Sequence, residues 1–177
     1  MPRNKREQDR DSKRDEIIAS AQQLFLEDGF EATSMSRLAA AAGVAPNTIY
    51  WYFKDKDEVL VAVLEAEFSA RMAEYLERSF TDTTERLLWV VNQLEITSRL
   101  VSTVHSRVAI SPQISAWHDR FHSLSEGLMR LELAQKGLPA ERMEPLVKIC
   151  VFTIEGLLAH PMTEAEKRSI CATLASV

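Results

Sequence analysis

The sequence predicts an all-α fold. Glycine and proline are scarce, 5 and 6 among 177 residues. Apolar residues recur at three- and four-residue spacing along most of the chain, the period of one helix face. Period-two alternation of β-branched residues, the mark of a half-buried strand, is rare. With 46% hydrophobic and 27% charged residues, the composition supplies a globular core.

Residues 1–11 are polar and read as a flexible basic and polar tail. Ser12 then opens a first helix, with Asp15 three residues on as a short capping box. Ile17, Ile18, Ala21, Leu24 and Phe25 form its apolar face, and Gly29 stops it. Thr33 or Ser34 caps a second helix, with Leu38, Ala39 and Ala42 turned inward, ending at Gly43. Pro46 suits the first position of a third helix running to Phe53. Together these make a helix-turn-helix. Asp55, followed by Glu58 at capping-box spacing, starts a long fourth helix to about Ser79, with Val59, Leu60, Val63, Leu64, Phe68 and Met72 inward. At about 1.5 Å per residue it is long enough to leave a small domain and enter another. Further helices are expected at about 83–104, 112–136, 140–160 and 163–176. The predicted division is 12–56 for the helix-turn-helix domain and 57–177 for the remainder.

The segment TIYWYFKDKDEVL (48–60) carries four consecutive aromatics, Tyr50 to Phe53. A helix spreads four such side chains around most of its circumference, so one core cannot take them all. Ile49 and Phe53 share a face with Val44 and read as core. Pro46, Asn47, Thr48, Tyr50, Trp51 and Tyr52 are left for the outer side, where they can hydrogen-bond phosphates and touch base edges. The charge distribution agrees. Residues 1–56 balance 9 Lys and Arg against 9 Asp and Glu, while 57–177 hold 12 against 17. An anionic partner therefore belongs at the front.

The stretch SKRDEIIASAQQLFLEDGFEATSMSRLAAAAGVAPNTIYWYFKDKDEVL resembles the TetR family of bacterial transcription regulators. The likeness is carried by AQQLFLEDGF, TSMSRLAAAAGV and the TIYWYFKDKDEVL junction, over about residues 12–62. It implies a homodimer that places two recognition helices in successive major grooves of a near-palindromic operator. It also implies DNA contacts at Thr33 to Arg37, chiefly Ser34, Ser36 and Arg37; at Pro46, Asn47, Thr48, Tyr50, Trp51 and Tyr52; and a phosphate contact at Lys56. Met35 stands where relatives are often polar. Asn47 replaces the usual small residue and adds an amide able to pair with adenine. Arg14 and the basic tail are further candidates for flanking phosphates.

Residues 80–177 carry no matched motif. The resemblance implies an effector-binding and dimerisation domain, with the helices at about 140–160 and 163–176 forming an intersubunit four-helix bundle. Gly156 is read as a place for close helix approach. A small-molecule effector is expected to be hydrophobic or aromatic, against Phe68, Met72, Trp89, Trp117, Phe121, Met129 and Phe152. His118, Glu155 or Arg99 would supply a polar handle.

His118 and His122 stand four apart beside Asp119, a spacing that zinc proteases use. The third ligand such a site needs is not evident, so the histidines read as surface or pocket-rim residues, with no metal and no cofactor assigned. Cys150 and Cys171 read as buried reduced thiols. The charged N-terminus is unlike a secretory signal, and no run reaches the roughly 18 apolar residues of a membrane span, which suits a cytoplasmic protein. The expected function is a ligand-responsive transcriptional repressor rather than an enzyme. A metal-dependent hydrolase built on His118 and His122, or a regulator answering a protein partner, are the alternatives.

Overall fold

The computed structural model describes the backbone of residues 2–176 and the side chains of residues 8–176. The described residues form eight α-helices, one 3-10 helix and no strand. They fall into two compact units, Met1–Leu76 with Arg99–Ser115, and Glu77–Ser98 with Ala116–Val177. This division differs from a boundary after residue 56, because the long helix that follows contributes its buried face to the first unit's core.

The first unit holds α1 (Pro2–Glu27), α2 (Met35–Ala41), the 3-10 helix Ile49–Trp51, nearly all of α3 (Lys56–Glu77) and α5 (Ser98–Arg107). Helix α1 begins at Pro2 and not at Ser12, so residues 8–11 are helix where a tail is expected. Straight-chain charged residues are good helix formers, and no glycine interrupts them. The side chains of Arg3, Lys5 and Arg6 lie outside the described residues. Ile17, Ala21, Phe25, Phe30, Leu38, Ile49, Phe53, Val59, Leu60 and Val63 are buried. Apart from Ala21, each of these side chains contributes about 1.5–3 kcal/mol through removal of apolar surface from water.

The expected third helix is not an α-helix. Residues 45–53 turn through bonds to the third residue back: Thr48 N–H to the Ala45 carbonyl at 2.8 Å, Trp51 to Thr48 at 3.1 Å, Tyr52 to Ile49 at 3.0 Å. Only the Phe53 N–H reaches four residues back, to Ile49 at 3.0 Å. Asn, Thr, Ile and three aromatics in succession all rank low as helix formers. So short a helix offers no N-terminal anion site of its own.

The expected helix over 83–104 is two helices, α4 (Thr83–Ile96) and α5, separated at Thr97. The Thr97 hydroxyl donates back to the carbonyls of Gln93 and Leu94, both at 3.3 Å. Such back-bonding offers the backbone an alternative to helix. The second unit contains α4, most of α6 (Pro112–Gln135), α7 (Ala140–Ala159) and α8 (Glu164–Ala175). Leu88, Val91, Ile154, Leu157 and Cys171 make one of its buried clusters, joining α4, α7 and α8. Thr163 and Glu166 form a reciprocal capping box that fixes the start of α8. Buried Lys167 pairs with Glu95 at 2.5 Å and Glu164 at 2.9 Å. Leu124 and Leu131 on α6 are exposed, as are Ile149 and Phe152 on α7.

Candidate nucleic-acid interface

The head is shaped from the turn residues outward. Gly29 and Gly43 take φ of +94° and +65°, a region where a Cβ would be strained. Thr33 is buried and donates to the Gly29 carbonyl at 2.9 Å, so it braces the turn and does not face solvent. Ser34 caps α2, its hydroxyl accepting from the Arg37 N–H at 3.2 Å. Ser36 and Arg37 are exposed on the first turn of α2. The Arg37 guanidinium also pairs with Asp28 at 2.6 Å, which holds it against the end of α1.

Burial of Ile49 and Phe53 sets the orientation of everything between them. Pro46 and Asn47 are exposed, Thr48 and Tyr52 half-buried, and Tyr50 and Trp51 are 55% and 75% exposed. The expected outer ledge of amide, hydroxyl and ring groups is therefore present, although a 3-10 turn carries it. Lys56 is placed by Phe30: its ammonium donates to the Phe30 carbonyl at 2.8 Å and lies 4.1 Å from the ring centroid. Arg107 approaches the same ring at 4.9 Å, and Arg14 lies 5.0 Å from the Phe53 ring. These placements have no local sequence signal.

The head is tied at several points to α5 and to the residues just after it, all within the first unit. Arg107 makes a bidentate pair with Asp57, at 2.8 Å and 2.9 Å. Burial works against the Asp57 carboxylate, but the Arg107 hydrogen bonds and charge outweigh it, and Asp57 sits below its ordinary pKa. The bond to Asp57 correspondingly raises Arg107. Gln113 donates to Asp55 at 2.8 Å. Arg99 donates to the Leu26 carbonyl at 2.9 Å and also to that of Glu27, covering the C-terminal end of α1. Arg99 is thus a helix cap and not a free handle for an effector.

The family model for bacterial regulatory proteins of the tetR family matches residues 17–63, the span from the buried face of α1 to the first two turns of α3. The HTH-type transcriptional repressor AcnR of Corynebacterium efficiens is 31% identical over 130 residues, 69% of this chain and 64% of the relative. Residues 17–63 form a TetR-family domain. The fatty acid metabolism regulator protein of Bacillus subtilis is 35% identical over 71 residues, 40% of this chain and 34% of the relative. The matches to these two curated relatives thus span about a third to two thirds of their length. Among solved structures, a transcriptional regulator from Rhodococcus sp. Rha1 superposes with a TM-score of 0.76 at 18% identity, covering 92% of this chain and 95% of that one. The fatty acid degradation regulator FadR from Bacillus halodurans gives 0.64 at 23%, covering 92% and 94%. At these identities the likeness is one of fold.

The residues expected against an effector have varied surroundings. Phe68 and Met72 are half-buried on α3. In the second unit, Trp117 stacks on Phe121 at 5.4 Å and Trp89 meets Phe80 edge-on at 5.9 Å. Met129 packs on the α4–α7–α8 cluster, and Phe152 is 67% exposed. A Cβ at Gly156 would meet nothing within 4 Å, so packing within this chain does not call for a glycine there. Cys150 and Cys171 are buried free thiols, and burial raises the pKa of both. No helix among the described residues is long and apolar enough to cross a membrane.

Proposed function

We propose that this protein is a homodimeric, sequence-specific DNA-binding regulator of transcription, a repressor released from a near-palindromic operator by a small hydrophobic or aromatic effector. The observation that carries the reading is the outer ledge of the head. Trp51, Tyr50, Asn47 and Pro46 are exposed beside Ser36 and Arg37, while their neighbours Ile49 and Phe53 are buried. Large rings left in water by a well-packed unit mark an interaction surface. Here they stand with amide, hydroxyl and guanidinium groups that suit base edges and phosphates.

In this reading Asn47 and Thr48 read bases, Tyr50, Trp51 and Tyr52 contact bases or backbone, and Ser34, Ser36, Arg37 and Lys56 position the head on phosphates. Lys56 has two ammonium hydrogens left after its bond to the Phe30 carbonyl, enough for a phosphate oxygen. Dimerisation runs through α7 and α8. Exposed Ile149 and Phe152 on α7 and an exposed small-residue row on α8, Ala165, Ser169 and Ala172, suit close helix packing. The apolar effector class draws support from Trp117 and Phe121 and from two relatives named for fatty acid metabolism or degradation. The protein acts in the cytoplasm, where its operator is, and as a regulator without enzymatic activity.

The test is selection of bound DNA from a random pool with the full chain at moderate salt. A palindromic consensus lost in Asn47→Ala and Trp51→Ala is the expected result. Retention no better than random DNA overturns the proposal.

A further inference from the structure

The groove between α6 and α7 brings together two imidazoles for which the DNA-binding reading has no use. His118 and His122, one turn apart on α6, place their Nε2 atoms 3.1 Å from each other. The Glu155 carboxylate of α7 stands 3.8 Å from His122 Nε2. Both rings are mostly buried, with 23% and 24% of the side chain exposed, while Glu155 is 41% exposed and free to turn. The groove, of about 450 Å³, is lined by three carboxylates, Asp119, Glu126 and Glu155, against one ammonium, Lys148. That ammonium is already bonded to Glu126 at 2.6 Å. The local charge therefore favours a cation.

We propose that His118, His122 and Glu155 form a binding site for a divalent transition-metal ion of the zinc class. Two donors on a tetrahedral ion at about 2.0–2.1 Å lie about 3.3 Å apart, close to the spacing of the two Nε2 atoms. The 3.8 Å gap from His122 to Glu155 closes by a side-chain rotation of the glutamate. No three donors already converge among the described residues; two do, and the third is within reach. Asp119 Oδ1 lies 3.9 Å from His118 Nδ1, on the far side of the ring from Nε2. Its charge favours the tautomer that keeps the proton on Nδ1 and leaves the Nε2 lone pair for the metal. The fourth position is open to water or a small ligand. Because two ligands lie on α6 and one on α7, the ion clips these helices together, and α7 is the helix through which dimerisation is proposed.

The experiment is calorimetric titration of the chelator-treated, dialysed full chain with zinc chloride alone, repeated with cobalt(II) for its visible spectrum. One ion per chain is expected, held at least tenfold more tightly than by the His118→Ala/His122→Ala double variant. Glu155→Gln is expected to weaken binding several-fold, and His105→Ala with His160→Ala to leave it unchanged. Equal uptake by wild type and the double variant, or no saturable uptake, overturns the site. Unchanged affinity in Glu155→Gln overturns the three-donor assignment, and since Glu155 is partly exposed that variant reports even if the histidine variant folds poorly. DNA selection reads none of these residues, so failure here and failure of the regulator reading are separate results.

Discussion

Replacing Trp51 with Ala removes a side chain that is 75% exposed, so stability should change by no more than about 0.5 kcal/mol. Operator affinity should fall nonetheless, because the ring lies on the ledge proposed to meet DNA. Asn47→Ala should lose about 1–3 kcal/mol of discrimination at one base position, the worth of an amide–adenine pair. Denaturant unfolding and fluorescence anisotropy on the selected DNA and its single-base variants separate the two effects. A variant that binds normally would remove its residue from the interface. The ledge itself is legible in the sequence, since four adjacent aromatics cannot share one core. The cations over Phe30 and Phe53 are not, because Arg14, Lys56 and Arg107 reach those rings from distant parts of the chain, leaving no local pattern.

Helix ends are legible in several elements, though not at the start of α1. The Ser34 cap, the Thr163–Glu166 capping box and the Gly29 and Gly43 turns all follow from local chemistry. Interiors misled in two places: apolar spacing continues through Thr97, where the helix breaks, and through residues 46–53, where only 3-10 turns form. Gly43 gives a direct test of the turn. At φ +65° an Ala should cost about 1–2 kcal/mol and weaken DNA binding. Gly127→Ala, inside α6 with nothing within 4 Å of the added Cβ, should instead stabilise by up to about 1 kcal/mol. Thermal unfolding of the pair decides it, and destabilisation of both or neither would count against this account of the turn. The tie between α3 and α5 has a pH signature. The Asp57 carboxyl is held below its ordinary value, so its stabilisation is fully present above about pH 4 and disappears as pH falls through the lower folded value. Asp57→Asn should cost about 1–2 kcal/mol near neutrality, and the gap from wild type should shrink as pH falls below the ordinary carboxylate range. A pH-independent gap would assign the loss to packing.

For the whole molecule, the proposed function requires two heads at the spacing of successive major grooves, about 34–36 Å, so assembly and DNA binding should fail together. The apolar surface suited to assembly is uneven. Ile149 and Phe152 on α7 are large and exposed, whereas the outward row of α8 is small, with Ala165, Ser169 and Ala172. A bundle using both helices would set the large side chains of one against the small ones of the other, allowing close packing. Ile149→Arg and Ala172→Arg both keep good helix formers on their helices, so helix content by circular dichroism should persist. Light scattering should show each variant as a monomer at concentrations where the wild type is a dimer. Operator affinity should drop at least tenfold, because a single head keeps only half the contacts. If Ile149→Arg alone dissociates the protein, the interface runs along α7 without α8. If both variants remain dimeric and bind DNA, the partner surface lies elsewhere and the exposed face of α7 needs another occupant.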